Sequence, residues 1–362
     1  MVDTLAQPLI DKDPAHPVKA AVVQAEPCWF DVDAATNKTC ALITEAATNG
    51  AQIIAFPELW IPGYPTFIFG HKANVVYDYC LKYYQNAVDV DSKHMLRIRA
   101  AARAGKIMVV IGIAERHRGS LYMAQTFIGP SGDILLHRRK LKPTSFERVV
   151  FGDASGDCAT NVVQTPIGRV SGLQCFEHFQ PLLKYHTYFQ GAQIHVSSWP
   201  MLFPPVGKGP FFNTVEACKM ASHVLAIEGG TFVLLASHTQ GKKGLHANGL
   251  TEGSETEDST PHVSTIGGGF TQVIAPDGRT IAEAPDPTFQ GLVYAELDFK
   301  EIYYAKNIVD PVGQYARADI FTLHVNSTVK RHCLYDGENH GGYSHASRFP
   351  DLEAVVDGHT SA

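Results

Sequence analysis

Apolar residues along the chain follow two periods, and their alternation sets the order of elements. Val18–Ala25 (VKAAVVQA) reads as a first strand. Residues 33–50 then carry Ala41, Leu42, Ile43, Ala46 and Ala47 on one helical face, closed by Gly50, and residues 51–56 (AQIIAF) form a second strand. Strand, helix, strand at this spacing predicts a βαβ-like unit. Residues 59–70 (LWIPGYPTFIFG) are aromatic and rich in Pro and Gly, so no regular helix is expected there. The pattern predicts helices over 75–87 and 91–105, the second capped by Ser92, and a third strand over 107–115. Residues 121–128 and 134–137, joined by Pro130-Ser131-Gly132-Asp133, predict a hairpin.

The second half repeats the theme. After the turn Pro166-Ile167-Gly168, residues 169–173 read as a short buried strand, and Phe176, Phe179, Leu182 and Leu183 follow at helical spacing. Further strands are expected over 192–198, 231–237 and 291–297, helices over 214–227 and from 302, and a hairpin over 269–284. Residues 201–212 are irregular, and residues 240–265 read as an exposed polar insertion. Residues 1–17 read as an arm and residues 326–362 as a polar tail. Strands interleave with helices and no linker intervenes. That predicts one α/β domain in which two sheets with helices outside bury both faces of the apolar strands. The two gross halves hint at an internal repeat.

Composition narrows the function. The chain has 362 residues, 45% of them hydrophobic, and a formal net charge of −6. A sizeable core is affordable, and no basic footprint for nucleic acid is present. Apolar runs are too short to predict a membrane span, and the first residues lack the basic start and apolar core of a signal peptide. The seven cysteines (28, 40, 80, 158, 175, 218 and 333) are odd in number and include no C-x-x-C pair. That argues against a disulfide framework or zinc ribbon and for a reducing, cytoplasmic compartment. Of 17 histidines, His332, His340 and His345 cluster near the C-terminus, where a solvated tail accounts for them better than a metal site.

Three predicted strand ends carry reactive side chains: Glu58, Lys140 and Cys175. Strand ends of open α/β sheets border the ligand crevice. A cysteine at a strand-to-helix junction projects toward a cleft, where the first N–H groups of the turn favour a thiolate. A thiol with a pKa of about 8.5 is only slightly ionised at neutral pH, so a base is needed, and Glu58 can accept the proton and later return it. Lys140 and the backbone N–H of Phe176 can stabilise charge developing on a substrate. Against this, Arg138, Arg139, Lys140 and Lys142 form a cation cluster of the kind that ordinarily makes a solvated face. Glu177 is accounted for as a carboxylate in the first turn of a helix. Trp60, Tyr64, Phe67, Phe176, Trp199 and Met201 suggest an apolar, aromatic-tolerant pocket, with His178 close to the junction.

The stretches VVQAEPCWFD (22–31), IIAFPELWIPGYP (53–65), GSLYMAQ (119–125), HRRKLKPTSFERVVFGD (137–153), LQCFEHFQPL (173–182), IHVSSWP (194–200) and DPVGQYARAD (310–319) resemble the nitrilase branch of the nitrilase, or carbon-nitrogen hydrolase, superfamily. The resemblance implies an α-β-β-α sandwich with its domain over residues 18–325. It implies a catalytic Glu58, Lys140 and Cys175, with Glu147 as a supporting glutamate that positions the lysine and substrate. It also implies hydrolysis of a nitrile to an acid and ammonia through a Cys175 thioimidate, with no cofactor or metal, and a homo-oligomer built of dimers that extend into a helical filament. The sequence departs from the family at one position, where Phe176 stands in place of the usual Trp. Three other outcomes stay open from the residues: a hydratase giving the amide from cyanide or a nitrile, an amidase of the same superfamily, and a binding protein with a silent site.

Overall fold

The computed structural model describes residues 16–204, 209–254 and 263–329. In chain order the elements are β1 (Val18–Ala25), α1 (Val32–Thr48), β2 (Ile53–Ala55), α2 (Phe67–Gly70), α3 (Ala73–Gln85), α4 (Lys93–Gly105), β3 (Met108–His117), β4 (Ser120–Ile128), β5 (Ile134–Arg139), β6 (Val162–Thr165), β7 (Gly168–Gln174), α5 (Pro181–Phe189), β8 (Ile194–Trp199), α6 (Val215–Gly229), β9 (Phe232–His238), α7 (Lys242–Ala247), β10 (Gln272–Ile274), β11 (Thr280–Glu283), β12 (Gly291–Leu297) and α8 (Lys300–Lys306). Local chemistry explains the boundaries. Asp31 caps α1 by accepting from the Ala34 N–H, and Ser92 caps α4 by accepting from Met95.

The strands run in the order β5-β4-β3-β2-β1-β9-β8-β7-β6. β1, β2 and β3 are parallel, as are β7, β8 and β9, and the halves meet where Gln24 and Ala25 of β1 pair with Ser237 and His238 of β9. Side-chain alternation turns this into layers. Ala21, Val23, Ile54, Val109 and Ile111 pack against Leu42, Ile43, Met95 and Ile98 of α1 and α4. Their neighbours Ala20, Val22, Ile53, Met108 and Val110 face the other way, onto Val170, Ile194, Val196, Phe232 and Leu234 of the second half. Leu173, Val233 and Leu235 in turn face Leu183 of α5 and Cys218 and Leu225 of α6. The result is helix, sheet, sheet, helix, the predicted sandwich.

Two expectations change. The parallel strands step outward in the first half (β1, β2, β3) and inward in the second (β7, β8, β9), so the halves are not strand-for-strand copies. The 240–265 segment is not simply an exposed insertion: it contains α7, and Gln240, Gly244, Leu245 and Asn248 are buried. Its polar side chains bond backbone, Gln240 Nε2 donating to the Val263 and Thr265 carbonyls and Asn248 Oδ1 accepting from the Phe67 N–H. His332, His340 and His345, most of the 326–362 tail, and residues 1–15 of the arm lie outside the described residues.

Candidate active site

Glu58 follows β2 at the sheet's C-terminal edge and is fully buried. Phe56 donates to the Val110 carbonyl at 2.9 Å, and its own carbonyl accepts from Ser198 Oγ at 2.9 Å. Gln125 Nε2 donates to Ser198 Oγ at 3.0 Å, so the strand exit is tied to both sheets. Gly112 of β3 lies against this exit: a Cβ there would stand 2.4 Å from the Pro57 carbonyl oxygen and 2.9 Å from Glu58 Cα. Glu58 Oε1 accepts from Lys140 Nζ at 2.9 Å, while Oε2 is buried with no partner among the described residues. Burial raises the Glu58 carboxyl to about 8 despite the opposing pull of Lys140, and the Glu147 charge adds to the rise.

Lys140 follows β5, its N–H donating to the Met123 carbonyl at 2.7 Å and its side chain fully buried. Nζ also donates to Glu147 Oε2 at 2.9 Å. Glu147 sits in a short 3-10 turn, Ser145–Val149, where it forms a capping box with Thr144. Tyr64 donates its phenolic hydrogen to Glu147 Oε1 at 2.8 Å. Burial alone would lower the Lys140 ammonium, but the charges of Glu147 and Glu58 outweigh it and raise it. One oxygen of each glutamate and Cys175 Sγ lie within 4.8 Å of one another, a spacing that would suit a metal ion. The ammonium already bonds both carboxylates and takes the charge-balancing role.

The cation cluster is not a solvated face. Arg138 is fully buried and clamps Glu177 with two hydrogen bonds of 2.8 and 2.6 Å. Arg139 clamps Glu115 at 2.7 and 2.6 Å and lies over the Tyr122 ring. Only Lys142 of the four points to solvent, paired with Asp153. Charge density at the end of an apolar strand thus marked a buried ion-pair network. Glu177 also accepts from the N–H groups of Leu141 and Gln174, each at 3.0 Å. It therefore ties the Lys140 segment to the Cys175 segment, a role that a first-turn carboxylate alone does not describe.

Cys175 begins the 3-10 turn Cys175–Phe179 directly after β7, in the left-handed region at φ +47°. That conformation costs a non-glycine residue of order 1–3 kcal/mol and is held here by the surrounding bonds. Burial, followed by the charge of Glu58, pushes the thiol well above its ordinary value, and Lys140 opposes this only in part. The turn's field does not offset this rise, contrary to the expectation of a thiolate favoured by the turn.

Cys175 and Glu147 line a cavity of about 220 Å³, walled by Tyr64, Phe69, Phe146, Phe176, Met201, Phe203 and Phe212 among others. Within IIAFPELWIPGYP, HRRKLKPTSFERVVFGD and LQCFEHFQPL, then, three strand ends bring an acid, an ammonium and a thiol together: Cys175 lines the aromatic cleft with Glu147, and Lys140 and Glu58 lie buried behind them.

The family model described as carbon-nitrogen hydrolase matches residues 19–307. The chain belongs to the carbon-nitrogen hydrolase family. It is 45% identical over 318 residues to an arylacetonitrilase of Hypocrea virens, covering 88% of this chain and 94% of that one. It is 44% identical over 316 residues to an arylacetonitrilase of Aspergillus niger (87% and 94% covered) and 41% identical over 323 residues to a nitrilase of Talaromyces marneffei (87% and 97%). Among solved structures, the NitFhit protein of C. elegans superposes with a TM-score of 0.64 at 18% identity, over 88% of this chain and 69% of that one. A carbon-nitrogen hydrolase of Helicobacter pylori superposes at 0.62 and 17% identity, over 84% and 97%. At these identities the superpositions bear on the fold, and they agree with the α-β-β-α sandwich.

In this carbon-nitrogen hydrolase the expected pocket residues divide. Tyr64, Phe176 and Met201 line the cleft. Trp60, His178 and Trp199 do not. Trp60 is buried on the α1 side, its indole N–H donating to Thr39 Oγ1 at 2.8 Å. Trp199 and His178 stack beneath the Cys175 turn, ring centroids 5.0 Å apart. Phe67 is likewise buried in the aromatic cluster with Phe30, Tyr79 and Tyr83. Nearness in sequence to the Glu58 and Cys175 strand ends placed these rings wrongly, because successive strand and turn residues face opposite layers. The sequence reading missed Phe69, Phe146, Phe203 and Phe212. Phe146 immediately precedes Glu147, and the last two lie within the 201–212 stretch already marked as irregular. Arg138, Gly112 and Gln125 were missed as well.

Proposed function

We propose that this protein is a nitrilase that converts a nitrile and two waters into a carboxylic acid and ammonia, with Cys175 as nucleophile, Glu58 as general base and acid, and Lys140 as charge stabiliser. The observation that carries the reading is the cluster of Glu58, Lys140, Glu147 and Cys175, of which Glu147 and Cys175 line the cleft and Lys140 bonds both glutamates. The relatives named arylacetonitrilase and nitrilase support it. The unpartnered Glu58 Oε2 takes the thiol proton as sulfur bonds the nitrile carbon, and that proton passes to nitrogen, giving the thioimidate. Water adds to the same carbon, passing one proton through Glu58 to nitrogen to give a tetrahedral carbon bearing hydroxyl, amino group and sulfur; the hydroxyl proton then follows the same route to nitrogen, so that ammonia leaves as the thioester carbonyl forms. A second water then cleaves the thioester, releasing the acid and restoring the thiol. Lys140 and the Phe176 N–H stabilise the charge that builds on substrate nitrogen or oxygen.

The aromatic wall, with Phe69 and Phe146 edge to face at 5.7 Å, supports an arylacetonitrile as the substrate class. The reading extends to a homodimer that grows into a helical filament. Leu182 and Phe189 on α5 and Met220, Val224 and Ile227 on α6 are exposed and offer apolar surface for a second copy. It also extends to a reducing cytoplasm, in keeping with the six free cysteines among the described residues. The test is a product assay with phenylacetonitrile, acetonitrile and cyanide, quantifying acid, amide and ammonia, with Cys175→Ala as control. Acid and ammonia, lost in the variant, are expected. Amide as the main product would make the protein a hydratase. Turnover of amides alone would make it an amidase, and a Cys175→Ala protein that kept turnover would sink the scheme.

A further inference from the structure

His178 plays no part in the scheme above, yet its surroundings fix every hydrogen on it. Nδ1 lies 2.7 Å from the Cys175 carbonyl oxygen. A carbonyl only accepts, so Nδ1 carries the hydrogen. Nε2 lies 2.9 Å from Ser197 Oγ and 3.1 Å from His195 Nε2. In a neutral ring that nitrogen is bare and accepts, which makes His195 Nε2–H a donor and leaves His195 Nδ1 to accept from Ser171 Oγ at 2.8 Å. Trp199 Nε1–H donates to Ser197 Oγ at 2.7 Å, orienting the hydroxyl, and the Trp199 ring stacks on His178 at an interplanar angle of 25°. His178, His195, Ser197 and Trp199 are all essentially excluded from solvent. The network admits one tautomer and one ring orientation.

The carbonyl that His178 holds belongs to the peptide unit whose N–H is that of Phe176. A peptide unit is planar and trans, so fixing the C=O direction fixes the N–H direction on the opposite side. The N–H at the start of a helical turn is left without a partner inside the turn. The Cys175 backbone is in the left-handed region at φ +47°, and the His178 bond to its carbonyl is one of the contacts that hold the plane there. We propose that His178 is a positioning residue that aims and polarises the Phe176 N–H as the anion-stabilising donor of the site, acting through the shared Cys175–Phe176 peptide plane. The inference rests on Cys175 being the nucleophile.

The test compares His178→Leu, which removes the donor, with His178→Asn, whose amide N–H reaches the place of Nδ1–H, and His178→Gln, whose amide reaches the place of Nε2 instead. Each is assayed for folding by near-ultraviolet circular dichroism, for Cys175 alkylation by iodoacetamide, and for kcat and KM on phenylacetonitrile. Alkylation needs the thiol but no anion-stabilising donor. In His178→Leu, alkylation within threefold of wild type is expected, with kcat down about 10²-fold and KM within threefold. His178→Asn is expected to recover at least tenfold of that loss, and His178→Gln to recover none. If His178→Leu does not fold, the Asn and Gln pair carries the comparison alone. A kcat within threefold of wild type in His178→Leu would overturn the inference. So would parallel loss of alkylation and kcat, or a folded His178→Asn no better than His178→Gln. Cys175→Ala separates the two levels: if it kept turnover the nucleophile assignment itself would fail, whereas a dead Cys175→Ala beside a fully active His178→Leu would remove only the role of His178.

Discussion

Gly112→Ala is the sharpest test of how Glu58 is held in the proposed scheme. The added methyl would stand 2.4 Å from the Pro57 carbonyl oxygen, 2.7 Å from the Leu59 nitrogen and 2.9 Å from Glu58 Cα. All three are backbone atoms, and no flexible side chain can yield in their place. Restoring an ordinary contact requires the Pro57–Leu59 backbone and β3 to separate by about 1 Å, a displacement that costs catalysis roughly 10²-fold when it falls on a reacting group. Overpacking of this kind also costs about 1–3 kcal/mol of stability. The assay is ammonia release from phenylacetonitrile with iodoacetamide titration of Cys175 alongside. Expected is a folded protein with a lower Tm, an intact Cys175 thiol and kcat reduced about 10²-fold, KM changing much less. A variant that lost stability as stated but kept kcat within threefold would refute the argument that Gly112 sets the position of Glu58.

Other outcomes follow from the same geometry. As a base, Glu58 must be ionised; because its carboxyl is raised to about 8, the acidic limb of kcat/KM should lie near pH 8 rather than near 4–5, and Glu147→Gln, which removes a charge that raises Glu58, should move that limb to lower pH. Arg138→Met strands the Glu177 carboxylate in the core and should cost about 3–5 kcal/mol by urea unfolding. Burial raises Glu177, but Arg138 and the hydrogen bonds lower it overall, so its pairing stabilises the fold above the ordinary glutamate range and that contribution fades as pH falls below it; the deficit of Arg138→Met should shrink on acidification. Phe146→Ala opens the cleft mouth beside Phe69 and should raise KM for phenylacetonitrile roughly tenfold while leaving acetonitrile unchanged. Glu58→Gln should slow iodoacetamide alkylation of Cys175 at least tenfold at pH 7.5; faster alkylation would show that Glu58 acts on the thiol only through its charge.

The layers were legible in the sequence because they rest on side-chain period: β1 and β3 alternate strictly between two apolar faces, and the pattern carries that without any long-range knowledge. Glu58, Lys140 and Cys175 stood out as candidates because each is a reactive side chain directly after an apolar run. The supporting residues did not, and for a common reason. Arg138 and Glu177 are 39 positions apart, and Gln125 reaches Ser198 across 73. Taken singly each looks like a surface residue, and only the pairing makes burial tolerable. Gly112 carries no side chain to notice. Trp60 and Trp199 erred in the opposite direction: large rings next to a site signal a pocket in sequence, although here their indole N–H groups are satisfied inside the core.

The raised thiol of Cys175 and the raised carboxyl of Glu58 look unfavourable one at a time and are not so together. Glu58, Lys140 and Glu147, with the glutamates ionised, form a buried group of net charge −1. Releasing the Cys175 proton to water would make that −2 in a buried site, and this is the process that burial and the Glu58 charge oppose. Passing the same proton to Glu58 leaves the net charge at −1 and moves it from oxygen to sulfur, toward the carbon to be attacked. The rise of Glu58 to about 8 makes it the stronger acceptor and narrows the gap between donor and acceptor, so the burial that suppresses spontaneous ionisation also assists the coupled transfer. The charge of Glu58 raises the thiol, so Glu58→Gln would ease ionisation if charge alone mattered, yet it removes the acceptor. The two readings predict opposite changes in the alkylation rate, and the sign decides between them.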